Sequence, residues 1–152
     1  MKRLYLVFGM LLSACSTQDA SPTSSDSVLR LAQYDSFPAG LFDAAAATCS
    51  KPFETLIRPT KRALRCEALP PPQVMAQIIL AYDGYVEDLP RYVLDFEATP
   101  NAAGYLAAID FYLDVPQRTG GPKHIKFRDS GVQKNLDRLL KVSGGRLIND
   151  TP

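Results

Sequence analysis

Two stretches in the second half of the chain alternate apolar and polar side chains with the two-residue period of a half-buried strand. Arg91 to Ala98 sets Tyr92, Leu94 and Phe96 against Asp95 and Glu97. Tyr105 to Val115 sets Tyr105, Ala107, Ile109, Phe111, Leu113 and Val115 against Asp110 and Asp114. Thr99-Pro100-Asn101 and Gly104 supply the turn, so the pair predicts a hairpin with one buried and one wet face. Beyond a Gly-rich turn over 117–122, Ile125 and Phe127 alternate with His124, Lys126 and Arg128, which adds a third strand and completes a meander over about 91–128. Acids outside two strands and cations outside the third predict cross-strand pairs, each contributing a fraction of a kcal/mol.

Other stretches carry the helical period. In Pro38 to Cys49 the residues Leu41, Phe42, Ala45 and Cys49 share one face, with Ser36 as the expected cap and Pro38 in the first turn. After Pro70-Pro71-Pro72, the set Val74, Met75, Ile78, Ile79 and Tyr82 predicts a buried helix that Asp83-Gly84 stops. Asp129 or Ser130 caps a third, with Val132, Leu136, Leu139 and Leu140 opposite Gln133, Lys134, Asp137, Arg138 and Lys141; Gly144-Gly145 ends it. Phe53 to Ile57 and Arg62 to Ala68 flank Arg58-Pro59-Thr60-Lys61 and predict a second hairpin over about 53–68. Val28 to Tyr34 is open to two readings, the start of a helix or a strap over the domain. The expected architecture is one α+β domain over 36–148, an antiparallel sheet packed on one face by about three helices, with a tail at 149–152.

The first residues belong to a different kind of segment. Lys2 and Arg3 precede an apolar run from Leu4 to Leu12, far shorter than the roughly 20 residues of a spanning helix. The run closes on Leu12-Ser13-Ala14-Cys15, which resembles the lipobox of bacterial lipoprotein precursors. The resemblance covers only this leader. It implies a signal peptide over 1–14, lipidation of Cys15, and a membrane anchor through its acyl chains, which hold firmly only when there are two or more. Ser16, where an aspartate resembles an inner-membrane retention mark, implies the outer membrane, facing the periplasm. Residues 15–35 then comprise the lipidated cysteine and a polar tether that is too poor in apolar residues to order itself.

With Cys15 assigned to lipid, Cys49 and Cys66 remain, an even number in a compartment that permits disulfides. A bridge between them is the expectation, and two separately buried thiols the competing one. The predicted hairpin sets Cys66 on a strand facing the helix that carries Cys49, as a bridge requires. The precursor has 17 basic and 16 acidic residues; loss of Lys2 and Arg3 leaves 15 against 16, a net charge of about −1. Such a balance gives no global field toward nucleic acid.

Candidate chemistry is sparse. Trp is absent and His occurs once. His124 lies near Asp129 and Ser130 in sequence, but on an alternating strand it points to solvent, and a triad is defined by spatial roles. One His and two bridged cysteines do not furnish a zinc site. Asp95, Glu97, Asp110 and Asp114 share the wet face, where a hard cation or acid/base work would need them to converge. No phosphate-binding, dinucleotide or nucleophile-elbow motif is present. Arg58, Lys61, Arg62 and Arg65 form the densest basic group, suited to lipid headgroups or an acidic polymer. The expectation is a non-catalytic envelope lipoprotein without cofactor or metal, whose partners are membrane lipid and an envelope protein. The alternative is a small ligand-binding or hydrolytic domain that uses the open sheet face.

Overall fold

The structure, a computed structural model, describes residues 29–127 and 129–148. The leader, Cys15, the tether up to Val28 and the tail at 149–152 lie outside the described residues. In chain order the elements are β1 (Arg30–Tyr34), α1 (Ala39–Thr48), β2 (Glu54–Thr60), β3 (Ala63–Ala68), α2 (Pro72–Tyr82), β4 (Arg91–Asn101), β5 (Gly104–Val115), β6 (Lys123–Lys126), α3 (Ser130–Val142) and β7 (Arg146–Leu147). The described residues form one open antiparallel sheet of seven strands with three helices, the α+β domain that the patterning predicts.

The long hairpin is its centre. β4 and β5 pair without a slip from Arg91↔Asp114 to Asn101↔Gly104. At the turn Gly104 has a φ of 118°, and a Cβ there would stand 2.2 Å from the Tyr34 carbonyl oxygen, so glycine is required. β3 pairs with β4 and β2 with β3, giving the order β2-β3-β4-β5-β1-β7. β5 divides its other edge: Tyr105 to Ile109 pair with β1, and Tyr112 to Val115 pair with β6. The predicted meander and second hairpin are therefore both present, joined through β3 and β4.

One sheet face carries all three helices. Leu41, Phe42 and Ala45 of α1 and Leu136 and Leu140 of α3 bury against Ala32, Leu64, Phe96, Ala98, Ala107 and Ile109. A smaller cluster forms where Ile78 of α2 meets Leu113 and Val115. Between them Tyr92, Phe111 and Phe127 pack together with ring centroids 5.6–6.1 Å apart. α3 is capped as expected, Asp129 accepting from the amides of Gly131 and Val132 at 2.7 and 2.9 Å.

Three expectations need correction. Val28 to Tyr34 is neither helix nor strap from residue 30 onward, because Arg30–Tyr34 is a sheet strand. The folded domain accordingly reaches back to residue 30 instead of starting at 36, so residues 30–34 do not belong to the tether expected over 15–35. β1 is fixed to α3 by Arg30 donating to Gln133 at 2.6 Å, and by the Tyr34 hydroxyl, which donates to the Leu140 carbonyl at 3.1 Å and hydrogen-bonds the Ser143 hydroxyl at 2.7 Å. Ser36 does not cap α1; Pro38 occupies the N-cap and no side chain bonds there. α2 is only half sunk, with Ile78 its one buried residue and Leu80 85 % exposed, because it packs at the sheet's margin. Ahead of the expected tail, Arg146 and Leu147 add a short strand on β1.

Cys49, just past α1, and Cys66 on β3 form a disulfide with a Cα–Cα separation of 5.9 Å. It joins the helix layer to the sheet's outer hairpin. Closing a loop of 17 residues, it contributes roughly 3 kcal/mol by constraining the unfolded chain. Replacing Cys66 with Ser is expected to lower the melting temperature by on the order of 10 °C, and reductant to do the same to the unaltered protein. A melting temperature insensitive to both changes would show that the bridge contributes nothing.

Candidate functional site on the open sheet face

With the helices all on one side, the polar groups of the other face meet water and one another. Alternation places Arg65 and Glu67 of β3, Arg91, Asp95 and Glu97 of β4, Asp110, Tyr112 and Asp114 of β5, and His124 and Lys126 of β6 on that face. Arg65 grips Asp95 through two hydrogen bonds of 2.7 and 2.9 Å. The Tyr112 hydroxyl donates to the same carboxylate at 3.0 Å and accepts from Arg65 at 3.3 Å. Arg91 donates to Glu67 at 3.1 Å, and Lys126 pairs with Asp110. His124 sets Nε2 3.4 Å from Asp114, with its ring centroid 4.7 Å from that of Tyr112. The cross-strand pairs expected between Asp110, Asp114 and β6 are present.

These contacts define what the face can do chemically. The Asp95 carboxylate holds the Arg65 guanidinium protonated well beyond the ordinary arginine range. Burial pushes the Tyr112 phenol up, and its hydrogen bond to the Asp95 carboxylate adds to this. Arginine and tyrosine are thus held in the forms that lock the triad together, an arrangement suited to rigidity. Beside it lies a shallow groove of about 340 Å³, floored by Ile57, Pro59 and Ala63 and rimmed by Glu97, Arg65 and Asp95.

The sequence-predicted candidates separate. His124 is half exposed and faces Asp114, whereas Asp129 is spent on the α3 cap, so the sequence neighbours do not meet as a triad. Asp95, Asp110 and Asp114 share the face as expected, but each meets a different side chain, Arg65, Lys126 and His124 respectively, and they do not converge. Among the described residues the one cluster with metal-ligand spacing is Cys49, Glu54 and Cys66, and both its sulfurs are in the disulfide. The basic group divides. Arg65 turns into the Asp95 pair, while Arg58, Lys61 and Arg62 stand exposed at the β2–β3 tip. The Arg65-Asp95-Tyr112 triad was not predicted from sequence; parity placed each residue on the wet face, but only the β3–β4 pairing brings Arg65 to Asp95.

Among the described residues no helix is long and apolar enough to cross a membrane. The chain matches no protein-family model, no curated protein and no solved structure. Fold and face together define a class in structural terms only: a disulfide-stapled α+β domain with one helix-covered face and one internally paired polar face.

The raised Tyr112 phenol has a measurable sign. Folding favours its neutral form, so the associated stability is complete below the ordinary tyrosine range near 10 and is lost as pH climbs through the higher folded-state value. Subtracting the alkaline absorbance titration of Tyr112→Phe from that of the unaltered protein should leave a component ionising well above pH 10 or only on unfolding. A difference curve centred near 10 would contradict the buried, carboxylate-bonded phenol.

Proposed function

We propose that this chain is a lipid-anchored envelope protein of bacteria, whose domain serves as a rigid interaction module on the periplasmic side of a membrane, the outer membrane in the reading that Ser16 supports. The observation that carries the reading is the division of labour among three cysteines. Cys49 and Cys66 are joined in a disulfide, the kind of bond that persists in an oxidising compartment. Cys15 is left at the position where a lipobox is lipidated. The anchoring chemistry follows: a thioether to diacylglycerol plus an acylated amine supply several chains, at about 0.8 kcal/mol for each buried methylene.

The module reading draws on the open face. Its acids and cations are paired across strands, which makes the surface stiff and shape-specific, as a protein contact requires. A second reading, a small ligand-binding or hydrolytic domain, draws on the groove beside Ile57, Pro59, Ala63 and Glu97. In-cell crosslinking separates them, a reproducible envelope protein favouring the first and a pocket-bound small molecule the second.

Anchoring itself is tested by Cys15→Ala. Radiolabelled fatty acid is expected on the unaltered chain and not on the variant, which should leave the membrane pellet while keeping its melting temperature. Recovery of the variant in the pellet after a high-salt wash would overturn the reading.

A further inference from the structure

We propose that the tip of the β2–β3 hairpin is a second membrane contact, at which Arg58, Lys61 and Arg62 meet the anionic phospholipid headgroups of the bilayer that holds the anchor. The proposal rests on the lipid-anchor reading above and adds to it an orientation of the domain.

Three observations converge on the tip. First, the cations are exposed, and among the described residues none of the three takes part in an ion pair, whereas their neighbour Arg65 is bound by Asp95. The nearest acid across the sheet, Glu97 opposite Ala63, leaves a local excess of two positive charges. Second, the tip is fixed. The Arg62 amide donates to the Thr60 hydroxyl at 3.1 Å, the Arg62 carbonyl accepts from Ala98 at 2.9 Å, and the disulfide ties β3 to α1. The charges therefore project from a rigid turn with little conformational entropy left to lose in the backbone. Third, Ile57, the neighbour of Arg58, is 38 % exposed on the open face, while Leu56, 37 % exposed, points to the opposite face. In a tip-first approach the cations meet the headgroup layer, with Ile57 following at its edge.

The tether is what lets anchor and tip meet one bilayer, because β1 starts at the level of Phe96, two residues to one side of the tip, and the β4–β5 turn extends about 10 Å past the tip on the other. Arg62 lies level with Ala98, hence with Ala107 and Ala32, two residues along β1 from Arg30. From tip to the start of β1 is about 7 Å along the strands and about 14 Å across three strand spacings. The polar stretch 16–27, read as a tether, spans on the order of 20 Å.

The chain lacks Trp, so Ile57→Trp gives a single reporter beside the tip. In the full chain its emission is expected to shift to the blue on vesicles of phosphatidylcholine with phosphatidylglycerol, and not on phosphatidylcholine alone. High salt should reverse the shift. Adding Arg58→Gln, Lys61→Gln and Arg62→Gln should weaken the response by about a hundredfold, at roughly fivefold per cation. The charge-matched set Lys134→Gln, Arg138→Gln and Lys141→Gln on α3 should leave it within about twofold; all six side chains are exposed, and melting curves verify that both variants fold. A shift equal on neutral vesicles, an equal loss in the α3 variant, or a shift produced by soluble heparin but not by anionic vesicles would each overturn the proposal. Vesicle sedimentation reads the anchor separately: pelleting on neutral vesicles without any shift on anionic ones sinks the tip and spares the anchor, whereas a shift without such pelleting sinks the anchor alone.

Discussion

The fixed register of β4 against β5 is the constraint on which the rest of the domain depends. Because side chains alternate, the pairing of Phe96 with Ile109 and of Asp95 with Asp110 decides for the whole sheet which face is dry and which is wet. A slip of β5 by one residue would drive Asp110 and Asp114 toward the helices and turn Ile109 and Leu113 to water, and a slip of β4 would do the same to Asp95 and Phe96. Gly104 under the Tyr34 carbonyl makes such a slip more costly still, since the turn cannot migrate to a residue with a Cβ. Strands added on either side inherit the parity: β3 brings Leu64 beneath the helices and Arg65 above the open face, and β6 brings Ile125 below and His124 and Lys126 above.

The one-sided helix layer has an energetic consequence on the far side. Val93 and Tyr112 are nearly inaccessible although no helix covers them; their cover is the aliphatic and planar parts of the paired charges themselves. Exposed ion pairs contribute little individually, typically under about 1 kcal/mol. Joined by the Tyr112 hydroxyl and the His124 ring that packs at a tilt against Tyr112, they form a connected surface whose members restrict one another.

Legibility in the sequence followed the range of the interactions. β4, β5 and β6 carry long alternation, and α1 and α3 carry clear apolar stripes, so each was readable from its own residues. β1 was not, because Arg-Leu-Ala-Gln-Tyr is five residues with a weak alternation whose partner, β5, lies more than seventy residues away. β7 is two residues long and exists only because β1 offers it an edge. α2 misled for the opposite reason: its apolar content is high enough to signal burial, yet the sheet beneath ends before it can cover Leu80. At the open face the residue types and the side of the sheet were readable. Which cation meets which acid was not, since it depends on joining the outer hairpin to the meander.

The division of the basic group shows what that joining decides. Four cations within eight residues look like one patch, but alternation along β3 and its pairing with β4 remove Arg65 from it by setting a carboxylate opposite. The bulge between Ile57 and Thr60 lets the hairpin turn tightly, so that Lys61 and Arg62 occupy the turn itself with Arg58 just behind. Positive charge and proline at an exposed strand edge also discourage pairing with a second chain, which β2, open along its length, would otherwise invite. Edge protection alone would be met by cations anywhere along β2, yet Glu54, Thr55, Leu56 and Ile57 leave the first part of the strand without one. The charges are gathered at the end farthest from the disulfide, where they guard the edge least well and reach outward best.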